Sequence, residues 1–170
     1  MTNSMNSADV TQPAVFQALV AQGQALTEAW RNIPVPDRPL SEDALDALYQ
    51  LGVGALQTGQ FAQSEVAFAL LLQHLPAHPD YLSGMGHALR GDGNPAAAAL
   101  MHALALQSAA EDEKTDHAMA LAQAFIDARQ PHAAEAVLTA LPTQESAQPA
   151  IAQLLARARA TRALIDRAEH

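Results

Sequence analysis

The residues in this chain best suited to chemistry are its seven histidines. A neutral imidazole can ligate a metal or move a proton near neutral pH. Spacing decides whether they can act together. His74 and His78 are four residues apart, but the stretch "HLPAHP" carries two prolines, so the two rings cannot share a helix face. His87 and His102 fall on different predicted helices. There is no HExxH, no pair of histidines beside a helical carboxylate and no carboxylate-rich calcium loop. The chain has no cysteine, which excludes disulfide scaffolds, thiol catalysis and thiolate metal sites. No serine elbow is visible. The histidines are therefore read as surface or loop residues, with no metal, no cofactor and no enzymatic activity expected.

Glycines could instead cradle a phosphate, but theirs is a different pattern. In "LYQLGVGALQTGQFAQSEVAFALLLQHLP", residues 48 to 76, three glycines interrupt a strongly helix-favouring run. Sliding this stretch along the chain brings Leu48 onto Leu82, Gly52 onto Gly86, Gly59 onto Gly93 and Ala69 onto Ala103, each a step of 34 residues. That is the period of the tetratricopeptide repeat, a helix–turn–helix unit. The first copy reads Leu48, Leu51-Gly52, Ala55, Gly59, Phe61, Ser64, Phe68 and Pro76. The second reads Leu82, Met85-Gly86, Leu89, Gly93, Pro95, Ala98, His102 and Ala105. A third copy, offset by two residues within the acidic "AEDEKTD", reads Ala118, Leu121-Ala122, Phe125, Arg129, Pro131, Ala134, Leu138 and Leu141.

This pattern gives most of the glycines a reason. Gly52 and Gly86 fall where helix A meets helix B, and a side chain there would separate the pair. Gly59 and Gly93 fall in the turn, where positive φ suits glycine. Arg129 replaces the turn glycine in the third copy. Pro95 and Pro131 open B helices, where the missing N–H costs nothing. Gly54 has no such slot. A helical bundle whose glycines coincide by chance is the competing reading.

The expected fold is all-α: three tetratricopeptide-like hairpins in a superhelix, at about residues 45–78, 79–112 and 115–148. An alanine- and leucine-rich chain poor in aromatic and β-branched residues agrees with it. Residues 1–12 are polar and expected to be disordered. Residues 13–31 read as an amphipathic helix with Phe16, Leu19, Val20, Leu26 and Trp30 near one face. The proline-rich "NIPVPDRP" separates it from the repeat domain, residues 41–170, which Ser41 opens as a helix cap. A last helix, residues 146–169, carries the stripe Ile151, Leu154, Leu155, Ala158 and Ile165, and closes the third repeat as a solenoid cap must.

What such a stack offers is a surface. In this repeat the second, fifth, ninth and twelfth positions of helix A face a concave groove. The first copy presents Asp46, Tyr49, Val53 and Leu56. The second presents Asp80, Ser83, His87 and Arg90, and the third Asp116, Met119, Gln123 and Ile126. An apolar floor with polar rungs suits an extended peptide, with apolar anchors in pockets and polar side chains on its backbone. Some of these residues could instead pack against the N-terminal segment or the last helix.

The net charge of −9 disfavours direct nucleic-acid binding, which needs a basic surface. The late arginines 157, 159, 162 and 167 are read as complementing their own helix end and acidic neighbours. The opening "MTNSMNSADVTQPAVF" lacks a basic n-region and an apolar h-region, and no apolar run reaches membrane-spanning length. A cytosolic chain that does not insert into membranes is expected.

The motifs "LYQLGVGALQTGQF", "YLSGMGHAL" and "PHAAEAVL", in this order between a short N-terminal helix and a terminal helix, resemble the class II type III secretion chaperones, the SycD/LcrH-like family. The resemblance covers about residues 14 to 165. It implies a bacterial cytoplasmic chaperone that holds hydrophobic translocator proteins before export, with an extended client segment in the groove. It also implies a homodimer formed through the N-terminal helix, on Phe16, Leu19, Val20, Leu26 and Trp30. Tyr49, Val53 and Leu56 match positions where the family presents aromatic groove residues, and here only Tyr49 is aromatic. Some members also assist a transcription activator. Two other classes stay open: a repeat scaffold joining folded partners, and an adaptor for a transcription factor. A scaffold tolerates loss of groove residues, whereas an adaptor competes with client for one surface.

Overall fold

Ser41 opens the repeat region by accepting a hydrogen bond from the Ala44 N–H at 3.3 Å, which satisfies one of the free donors of a helix start. The helix it opens, α1, runs Glu42–Gln57. Then follow α2 (Phe61–His74), α3 (Pro79–Gly91), α4 (Pro95–Ser108), α5 (Lys114–Asp127), α6 (Pro131–Thr139) and α7 (Gln148–Ala168). This computed structural model describes residues 40–141 and 147–168, together with positions 17, 18, 21, 22, 25 and 28, which are helical and exposed. The described residues are helical or in turns and contain no strand, so the chain is all-α as expected. Phe16, Leu19, Val20, Leu26 and Trp30 lie outside the described residues.

The three turns share one hydrogen-bond pattern. The Gln60 N–H donates to the Ala55 carbonyl, Asn94 to Leu89 and Gln130 to Phe125, each at 2.8 Å. A second bond runs from residue 59 to Leu56, from 93 to Arg90 and from 129 to Ile126, each at 3.1 Å. This pair of bonds is the Schellman closure of a helix, in which the donor of the second bond is left-handed. Gly59 and Gly93 supply it with φ of 72° and 86°, and Arg129 adopts φ 57° in their place. Pro79, Pro95 and Pro131 then begin α3, α4 and α6. The Asn94 side chain adds a cap to α4, accepting from the Ala97 N–H at 3.2 Å.

Within each hairpin, packing depends on small residues. Ser64 on α2 is buried and donates its hydroxyl to the Gly52 carbonyl at 3.0 Å, tying B helix to A helix. A Cβ at Gly52 would lie 3.1 Å from the Phe68 ring, a close contact that glycine relieves. One core cluster joins the first two hairpins through Phe68, Leu71 and Leu72 against Leu82, Met85, Met101 and Leu104. The other joins Leu121, Phe125, Val137 and Leu138, and α7 lays Ile151, Leu154, Leu155 and Ala158 on it. Thus α7 closes the open side of the third hairpin. Its arginines reach acids of the preceding helices: Arg162 pairs with Glu135 at 3.2 Å and Arg157 with Asp127 at 3.6 Å.

One expectation is corrected. The histidines are not all surface or loop residues, because His102 is 0% exposed and His117 is 7% exposed. His102 lies one repeat after Phe68, in the slot of helix B that faces helix A. Burial there follows from position in the repeat rather than from residue type.

Candidate functional site

The A helices stand side by side, with α1 touching α3 and α3 touching α5. Side by side they present one shared face. At its C-terminal end is a cleft of about 470 Å³, lined by Leu56, Gln57, Phe61, His87, Arg90, Gly91 and Asp127. It brings together three of the expected residues: Leu56 from the first copy, and His87 and Arg90 from the second. Phe61 opens α2 and lies over Gly91, where a Cβ would come within 2.2 Å of its ring. One wall is therefore aliphatic and aromatic, and the opposite wall carries Arg90 and Asp127.

The polar wall is tied internally. Arg90 and Asp127 approach to 3.5 Å, and Arg157 of α7 reaches the same carboxylate. Gln123 donates its amide to Asp127 at 2.9 Å and accepts from Arg157. Half-exposed pairs of this kind add little stability individually. Together they tie Arg90, Gln123, Asp127 and Arg157 to one another. Two guanidinium groups share one carboxylate, so this end of the groove is locally basic in an acidic chain.

The floor of the cleft is imidazole. His87 stacks edge-on against His102, with ring centroids 4.8 Å apart. Burial lowers the pKa of His87, and the charges of Arg90 and His117 lower it further. Burial also pulls His102 down to about 3, helped by His87, Arg90 and His117. Both His102 ring nitrogens lack hydrogen-bond partners. Among the described residues, no group of three or more histidine, cysteine or carboxylate side chains could hold a metal ion.

Tyr49 lies at mid-length of α1, two turns before Leu56. It is half-buried, edge-on to Phe68 at 6.0 Å and tilted against Tyr81 at 5.8 Å, with His78 stacked on Tyr81 at 4.1 Å. Burial raises the Tyr49 pKa, and the Asp80 carboxylate adds to this. Tyr81 is raised by burial and then by Asp46 and Asp80. Asp46, Asp80 and Asp116 are exposed, so this rim is acidic. Val53 is half-buried against the first core cluster, and Met119 packs on the second. Ser83 is half-buried, and Ile126 is buried at 5% exposure. Four cleft residues, Gln57, Phe61, Gly91 and Asp127, were not expected from the repeat positions. A usable signal existed for Phe61, since an aromatic ring fills the slot that holds proline in both later copies.

No protein-family model matches this sequence, and no curated protein matches it. Among solved structures, a chain of the CopN-Scc3 complex is similar, with a TM-score of 0.59 and 14% identity, over 84% of this chain and 98% of that one. The likeness is one of fold.

Proposed function

We propose that this protein is a bacterial cytoplasmic chaperone that holds an extended apolar segment of a type III secretion translocator in its concave groove. The observation that carries this reading is the cleft between Leu56 and Phe61 on one side and Arg90 on the other. Its volume of about 470 Å³ suits one or two bulky side chains of a peptide. In this reading Arg90 bonds the backbone of the bound segment, and the exposed Asp46 and Asp80 give the groove a direction. The fold's likeness to a chain from a two-protein complex supports a protein partner, and the motifs quoted above support this client class. Such a groove needs no nucleotide. It covers a membrane-active segment by affinity alone and releases it as a linear peptide.

The test is co-expression with a translocator from the same bacterium. The wild-type protein is expected to keep the client soluble and to co-purify with it. Leu56→Asp places an unpaired charge in the apolar wall and is expected to abolish co-purification while the far-ultraviolet circular dichroism stays unchanged. Undiminished capture by Leu56→Asp would move the client off this groove. The proposal includes a homodimer through residues 13–31, as the family resemblance implies. Removing residues 1–31 is then expected to shift the light-scattering mass from dimer to monomer, and an unchanged mass would overturn that assignment.

A further inference from the structure

The client cleft is floored by a group that can acquire charge. His87 lines it from α3, half-buried. Behind it the fully buried His102 of α4 presents two unpartnered nitrogens, and His117 of α5 completes the set. Two charged residues of opposite sign, Arg90 and Asp127, line the cleft with His87, and two further imidazoles lie behind it. Arg90 stands one turn further along α3. From α5 come His117 and Asp127, and from α4 only His102. The α1 and α2 walls, Leu56, Gln57 and Phe61, carry no charge. Asp127, the one carboxylate lining the cleft, is already shared by Arg90 and Arg157. A proton on His87 would therefore gain a repelling neighbour in Arg90 and no free counter-ion. It would also need the water that an apolar guest excludes.

We infer that the cleft is proton-gated: it accepts an apolar guest while the His87 imidazole is neutral and expels it when that ring takes a proton. The inference takes its guest from the proposed function, but the gate belongs to the cleft and can be tested without a client. By linkage, a guest that binds only the neutral form loses up to about tenfold in affinity per pH unit once His87 titrates.

The chain has no cysteine, so Gln57→Cys provides a single attachment point on the cleft lip. Monobromobimane attached there is a small, uncharged apolar guest. At pH 7.5 its emission is expected to be blue-shifted and shielded from acrylamide. Over the acid range in which circular dichroism is unchanged, the emission should shift to the red and the quenching constant should rise severalfold. In Gln57→Cys with His87→Gln, the label should stay shielded throughout. A label whose shielding does not respond to pH, or whose release persists in His87→Gln, overturns the gate. Either result leaves the client reading intact, since that reading stands or falls on capture by the unlabelled protein.

Discussion

Phe68→Ala is expected to lower stability by about 3–5 kcal/mol, the usual cost of emptying a buried aromatic site. Phe68 is 0% exposed and its ring fills the space between three helices. It lies against Gly52 of α1 and edge-on to Tyr49, and it covers Gly84 of α3, where a Cβ would come within 2.2 Å of it. The last contact makes a sharper experiment possible. In the wild-type protein Gly84→Ala is expected to be destabilising, because over-packing costs about 1–3 kcal/mol. This outweighs the preference for alanine in a helix interior, about 1 kcal/mol. Once the ring is gone, the same substitution has room, and only the preference for alanine remains. Gly84→Ala should therefore stabilise Phe68→Ala. A double-mutant cycle read by urea unfolding should show a favourable coupling of about 2 kcal/mol. Additive effects would mean that the ring does not cover Gly84 in solution.

Gly84 also shows where the sequence stopped being legible. The repeat could be read because its demands recur: a left-handed residue at 59, 93 and 129, a small residue at the A–B contact, a proline at a helix start. Those demands are local, so spacing displays them, and even the exception at Arg129 keeps the backbone bonds of its glycine counterparts. Gly84 and Gly91 answer to single aromatic rings, Phe68 and Phe61, that arrive from another helix. Neither glycine recurs at the repeat spacing, so nothing in the pattern announced them. Part of the cleft was legible in the same measure. Repeat position placed Leu56, His87 and Arg90 on one face, where the cleft is. It could not foresee that Arg157, from outside the repeats, would engage Asp127 and Gln123.

His102 is the instructive case, because the sequence held the signal and residue type hid it. Aligned on the repeat, it takes the slot of Phe68 in the first copy and Leu138 in the third, and both of those are core residues. A histidine there is held neutral: burial first, then His87, Arg90 and His117, bring its pKa down to about 3. The unfolded chain returns it to about 6.5. Between these values the unfolded state binds the extra proton, so stability falls as pH falls from 6.5 toward 3 and is unaffected by this group above 6.5. Integrated from pH 7 to pH 5, the loss is about 2 kcal/mol. His87, lowered in the same direction, adds to it. His102→Leu, which installs the residue of the third copy, removes the titrating group and two unpartnered buried nitrogens together. It is expected to stabilise the protein at pH 7, since an unsatisfied buried polar group costs about 1–3 kcal/mol. Its advantage over wild type should then grow by about 2 kcal/mol at pH 5. Urea unfolding of both proteins at the two pH values measures the difference. The carboxylates are common to both and cancel. Parallel pH dependences would mean that His102 finds a proton, and hence water, in the folded protein, and that the slot behind the cleft is wet rather than dry.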